Sequence, residues 1–173
     1  MEKVFIKLLM VAFLLVIPVT LVAQQSNSFF DTVRASVTYT ADIFANTTGG
    51  FDTGLRYFDN LDIELEANWN NLTLFAYGLA NQGGSISELS GDIQTVSNIE
   101  TNNSWLIYEA WANIPITSIK SSLLVGLYDL NSEFDVINTG GLFLNSSHGI
   151  GPDFSSSGVT GPSIFPLLRW QLD

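Results

Sequence analysis

Cysteine is absent, histidine occurs once, and basic residues number 6 against 17 acidic ones in 173 residues. Without thiols there is no disulfide framework, no cysteine-ligated zinc or iron–sulfur centre and no thiol nucleophile. A lone His148 supplies neither a multi-histidine metal site nor a Ser-His-Asp triad, and suits a loop hydrogen bond. The net charge of −11 leaves no cationic face to displace counterions from phosphates, which excludes nucleic acid as a partner. It also steers anions away and draws cations closer. No Gly-rich phosphate loop runs from a strand into a helix. Charged residues make up only 13% of the chain and hydrophobic ones 46%, too apolar a balance for intrinsic disorder. Asn and Gly occur fourteen times each. Apolar and turn-forming residues are thus both abundant, which suits strands joined by long polar loops.

The amino-terminal segment, 1–23, reads as a secretory signal peptide. Lys3 and Lys7 precede the uncharged apolar run 8–22, and Ala23 stands before Gln24-Gln25-Ser26, the charged, apolar and cleavage regions of an export leader. About 15 apolar residues interrupted by Pro18 fall short of the roughly 20 that a spanning helix needs. Nothing after Ala23 reads as a hydrophobic helix, so any membrane role falls to strands.

Residues 32–43 alternate strictly. Val33, Ala35, Val37, Tyr39, Ala41 and Ile43 interleave with Arg34, Ser36, Thr38, Thr40 and Asp42, which makes one strand face apolar and the other polar. Residues 61–69 repeat the design, with Leu61, Ile63, Leu65, Ala67 and Trp69 set against Asp62, Glu64, Glu66 and Asn68. Further strands are expected at 72–79, 104–113, 122–130 and 167–173, six in all. Alternation alone fits a soluble sandwich as well as a barrel in lipid. Length favours the barrel, because tilted membrane strands need about 9–11 residues and soluble ones most often have about 5–6. Connection lengths separate the two further. They run long (45–60), short (Asn70-Asn71), long (80–103), short (114–119) and long (131–166), as in an exported chain with clipped inner turns and extended outer loops.

Gly54-Leu55-Arg56-Tyr57, Asn60-Leu61-Asp62-Ile63-Glu64-Leu65-Glu66-Ala67, Leu72-Thr73-Leu74-Phe75-Ala76-Tyr77-Gly78 and Tyr108-Glu109-Ala110-Trp111 resemble the carbohydrate-selective porins of the OprB type. So do 126–134, 143–153 and 161–166. The resemblance spans about residues 50–170 and rests on the order and spacing of these pieces together. It implies an all-β fold, an antiparallel transmembrane barrel of typically sixteen strands in the bacterial outer membrane, through which sugars diffuse. It implies neutral sugars and outer-membrane lipid as partners, a homotrimer at full length, no cofactor and no enzyme activity. Six strands and a final Asp173 in place of an aromatic residue mark 24–173 as the expected N-terminal portion of such a barrel. The alternative from another class is a secreted soluble β-sandwich that binds glycans.

In the barrel reading the polar faces line water. Arg34, Thr38, Asp42, Asp62, Glu64 and Glu66, joined by Glu109, are the expected pore lining, where carboxylates exchange hydrogen bonds with sugar hydroxyls; a plain solvated wall is the simpler reading. If Asn70-Asn71 is a two-residue turn, Phe75 and Tyr77 fall on the same side as the acids, and their rings can stack on the C–H faces of sugars. One extra loop residue would turn them to lipid. The long connection 131–166, with Glu133, Asp135, His148 and Asp153, is expected to form a constriction, by analogy with the third outer loop of porins; an external loop is the competing reading.

Other chemistries find weaker support. Glu64 and Glu66 at i and i+2 suit a wet strand face better than a glycosidase pair. The run Asp129–Asp135 alternates oxygen ligands, but Phe134 stands where a calcium loop needs its glycine and Gly140 where it needs the closing Glu. The Asn-x-Ser/Thr triplets at Asn46, Asn71, Asn102 and Asn145 carry little meaning in an Asn-rich bacterial sequence.

Overall fold

The computed structural model describes residues 10–23, 30–149, 151 and 161–170. Seven antiparallel strands lie side by side in chain order: β1 (Met10–Ala23), β2 (Thr32–Asn46), β3 (Gly54–Trp69), β4 (Leu72–Gly83), β5 (Ser104–Ile116), β6 (Ser121–Tyr128) and β7 (Ser163–Trp170). Each strand pairs with its successor, so the sheet is a simple meander. Among the described residues β1 and β7 do not pair with each other. The one α-helix described, α1 (Ser87–Ser90), sits in the β4–β5 connection. No described helix is long and apolar enough to cross a membrane.

Two tight returns define one end of the sheet. Asn70 and Asn71 both take positive φ, 46° and 70°, as a two-residue hairpin turn demands and as Asn tolerates. Trp69 therefore pairs with Leu72. The other return is a 3-10 turn, Thr117–Ile119, closed by Lys120 at φ 47°. The long connections gather at the opposite, loop end.

With this register, Arg34, Ser36, Thr38 and Thr40 of β2 stand opposite Glu66, Glu64, Asp62 and Asn60 of β3, so one face of the sheet is polar. The other face is apolar and uncovered: Val37, Ile63 and Leu65 are 39%, 45% and 46% exposed. A β-sandwich would bury these three side chains under a second sheet. Among the described residues there is one sheet only, and the soluble glycan-binding alternative finds no support. The buried apolar cluster lies instead on the polar side at the loop end, where Phe44 and Phe58 meet Ile86 and Leu89.

The strand limits differ from those expected. β3 starts at Gly54, seven residues earlier than its alternation suggests, because its outer stretch keeps pairing with β2 as far as Gly54 against Asn46. The last strand is Ser163–Trp170 and includes Pro166; β7 is an outer strand of the sheet, where a missing N–H costs no ladder bond. Residues 171–173 of the expected strand lie outside the described residues. A seventh strand, not expected from the sequence, comes from the amino-terminal apolar run, whose Val11, Val16, Ile17, Val19 and Val22 have high strand propensity. Pro18 is again accommodated on an outer strand, opposite Thr38.

Candidate functional site

The polar face is organised in rows that run across the strands. Nearest the turn end, Thr32, Asn68, Thr73 and Asn113 form an uncharged row. The next row reads Arg34, Glu66, Phe75, Trp111, Gly126 and Phe165. Arg34 donates to Glu66 at 3.0 Å, both partly exposed. Phe75 stacks on Trp111, with ring centres 4.9 Å apart and planes 25° from parallel. Gly126 makes this packing feasible. Its φ is +141°, and a Cβ there would lie 2.3 Å from the Ala110 carbonyl oxygen and 2.6 Å from Trp111 Cα.

The third row is Ser36, Glu64, Tyr77 and Glu109. Ser36 Oγ donates to Glu64 at 2.7 Å, and the Trp111 indole N–H donates to Glu109 at 2.8 Å. Between Tyr77 and Gly78 the β4–β5 register shifts, and this bulge leaves Tyr108 as the extra residue. Tyr108 packs edge-on against Tyr77 at 5.2 Å and donates to Asp129 at 2.8 Å. Tyr77 donates to Asp62 at 2.5 Å. Further across, Arg169 of β7 pairs with Glu133 at 2.6 Å and lies 5.3 Å from the centre of the Tyr128 ring. Glu64, Phe75, Tyr77, Tyr108, Glu109 and Trp111 line one open groove of about 470 Å³, with Tyr128, Asp129, Glu133 and Arg169 along its far side.

At the loop end the same face is covered. Residues 84–103 fold over it, so that Asp42, in register with Phe58, is 1% exposed and accepts a hydrogen bond from Ser97 Oγ at 2.5 Å. Ile86 and Leu89 insert beside Phe44 and Phe58, whose rings stack at 5.7 Å. Within the segment, Glu100 accepts from Ser85 Oγ at 2.5 Å and from the Ser87 N–H at 3.0 Å, which holds its two ends together. Asn46 Nδ2 reaches the Leu89 carbonyl at 3.3 Å. The following connection then docks on this one: the Asn98 N–H donates to the Leu144 carbonyl at 2.8 Å, and the Ser146 N–H to the Thr95 carbonyl at 3.2 Å.

The sequence-derived residues separate accordingly. Arg34, Thr38, Asp62, Glu64, Glu66 and Glu109 share the polar face, and the Asn70-Asn71 turn brings Phe75 and Tyr77 onto it. Asp42 shares that face but anchors the covering segment and is not open to the groove. Of the four residues expected in a constriction, Glu133 reaches the wall through Arg169. Asp135 accepts from the Gly151 N–H at 2.9 Å and His148 stacks on Phe143 at 4.3 Å, both within the connection itself. Asp153 lies outside the described residues. Among the described residues, 84–103 lies directly on the polar face, and residues 144–146 pack on it. Asp129, the head of the failed calcium pattern, accepts from the Asn131 N–H at 3.0 Å as well as from Tyr108.

Sequence reading missed Tyr108, Trp111, Tyr128, Asp129 and Arg169. Trp111 was within reach, since it follows Glu109 by two and must share its face. Tyr108 was not, because a bulge breaks the two-residue period without a sequence mark. No curated protein and no solved structure matches the chain. Residues 48–171 match the family model described as carbohydrate-selective porin, OprB family, which takes in β3 to β7 and the whole groove, and the chain belongs to that family.

Proposed function

We propose that this sheet is one wall of an outer-membrane β-barrel through which sugars diffuse passively, after removal of residues 1–23 as a signal peptide. With the leader cleaved, β2 becomes the outer strand. The observation that carries the reading is the inversion of the sheet: its apolar side is exposed and its polar side is half-buried. In water that arrangement wastes apolar burial; in lipid it is the stable one, because the outer face meets acyl chains. Membership of a family of channels gives the inversion its meaning.

The apolar side also has the right height. On β3 the outward residues from Leu61 to Trp69 are all apolar, and this nine-residue stretch matches the roughly 9–11 residues that a tilted membrane strand needs to cross the hydrocarbon. Aromatic residues bound it. Trp69 stands at the turn end, and Tyr39 and Trp105 share the register row of Leu61 and Ala80 at the other. One row beyond, Asp59 accepts from Tyr57 at 2.7 Å and from Tyr39 at 3.2 Å, a polar knot suited to the headgroup level. With β1 removed, the six remaining strands, whose outer members β2 and β7 do not pair among the described residues, are one wall, not a pore, and further strands complete the barrel in this reading; a homotrimer is the assembly proposed for it.

Sugars then pass along the groove, their C–H faces on Phe75 and Trp111 and their hydroxyls on the carboxylates. Residues 84–103 narrow the outer mouth, and 144–146 brace them. The test is liposome swelling with the channel carrying this wall. Glucose should enter at a rate that rises when 84–103 are replaced by a short Gly-Ser linker. An unchanged rate would remove that segment from the path. Failure to fractionate with outer membranes, or a freely soluble heat-insensitive monomer, would end the channel reading.

A further inference from the structure

We propose that Glu64 and Glu109 make this wall prefer cationic sugars, such as hexosamines, over neutral ones and neutral over anionic ones; the inference rests on the sugar-channel reading above and names its substrate class. Four carboxylates line the groove, those of Glu64, Glu109, Asp129 and Glu133, against the single guanidinium of Arg169. That guanidinium is committed to Glu133 at 2.6 Å. Asp129 is held by the Tyr108 hydroxyl and the Asn131 N–H. Glu64 and Glu109 flank Tyr77 in one row, and neither forms an ion pair among the described residues.

Glu109 is the more telling of the two. It is only 6% exposed yet lines the groove, and the hydrogen bond it receives comes from a neutral indole N–H. A buried carboxylate with no ion pair of its own, and with Arg169 nearby but bound to Glu133, is costly, and a cation that enters beside it offsets that cost. Trp111 and Phe75, stacked beside this row, offer a ring face to a sugar whose ammonium group points at the two acids, and Tyr77 between them adds a cation–π contact. The neighbouring row differs in charge, because Arg34 neutralises Glu66. Neutral sugars and hexosamines therefore share the stacking platform, and only the Glu64–Tyr77–Glu109 row tells them apart.

The experiment titrates the full chain, folded in detergent micelles, with glucosamine, glucose and glucuronate, and follows tryptophan fluorescence and heat. Glucosamine should bind about tenfold tighter than glucose at low salt, with glucuronate weakest, and the preference should shrink in 1 M salt, where the Debye length falls to about 3 Å. Glu64→Gln and Glu109→Gln, the latter able to keep its bond from Trp111, should bring the three sugars together; Glu88→Gln on α1 should leave the preference intact. Equal affinity for glucosamine and glucose in the unaltered chain would overturn the inference and leave the sugar-channel reading standing. Absence of binding by all three sugars would likewise overturn the inference, whereas the channel reading falls only by the swelling and fractionation tests.

Discussion

The loop end and the middle of the polar face are built from the same strands and treated in opposite ways. At the loop end, Phe44 and Phe58 interrupt the polar alternation of β2 and β3, and residues 84–103 close over them with Ile86 and Leu89. In the middle, the aromatic residues of β4 and β5 stand among carboxylates and stay open to the groove. What separates the two is the partner each ring meets. Rings that meet aliphatic side chains from a connection form a core; rings that meet carboxylates and one another form a wetted surface. In the proposed reading the first region supplies stability and the second selectivity.

Substitutions can break that division. The largest effect is expected from Ile86→Ala, since Ile86 is fully buried in the covering cluster and truncation of such a residue costs about 2–5 kcal/mol. Its denaturation midpoint should fall, and protease should cut within 84–103, while sugar affinity in the groove changes little. Gly126→Val comes next, because it forces a side chain into the backbone of β5 at a positive φ, at about 1–3 kcal/mol. Here the stacking of Phe75 on Trp111 should be lost with the fold of the wall, which near-ultraviolet circular dichroism reports.

Trp111→Ala should sharpen the comparison. It removes the partly exposed ring proposed to stack on the sugar's C–H face, and a loss of about 1 kcal/mol of stacking lowers sugar affinity about fivefold, with a smaller fall in midpoint than in Ile86→Ala. If the midpoint falls as far as in Ile86→Ala, the middle region is a core after all. The smallest effect is expected from Arg34→Gln. The Arg34–Glu66 pair is well exposed, and such pairs contribute about 0–1 kcal/mol. Its visible consequence is electrostatic: freeing Glu66 should strengthen binding of a hexosamine relative to glucose, measured by the same titration at low salt.

Much of the wall was legible in the chain because strand geometry is local. A residue and its second neighbour share a face whatever the rest of the molecule does, so the acids at 62, 64 and 66 and the apolar set opposite them could be assigned without coordinates. The Asn70-Asn71 turn extended that logic across to β4, since a two-residue return leaves one register for Phe75 and Tyr77. The logic stopped at the bulge beside Tyr108 and at the long connections. Nothing in the sequence of 84–103 marks it as a segment that lies on the sheet; the analogy with porins points to 131–166, part of which lies outside the described residues.

The two-sided character of the strands and the position of the tight turn were thus settled by the amino-acid order alone, as consequences of covalent geometry that acts over two or four residues. Which connection covers the polar face, and which carboxylates it leaves open, was decided only by the folded chain. Ser97 finds Asp42 across 55 residues, and Leu144 reaches the cluster of Ile86 and Leu89 from the next connection. Such contacts are chosen by competition among many loop placements of similar local cost, and only the burial of a few apolar side chains, complete in one placement, breaks the tie.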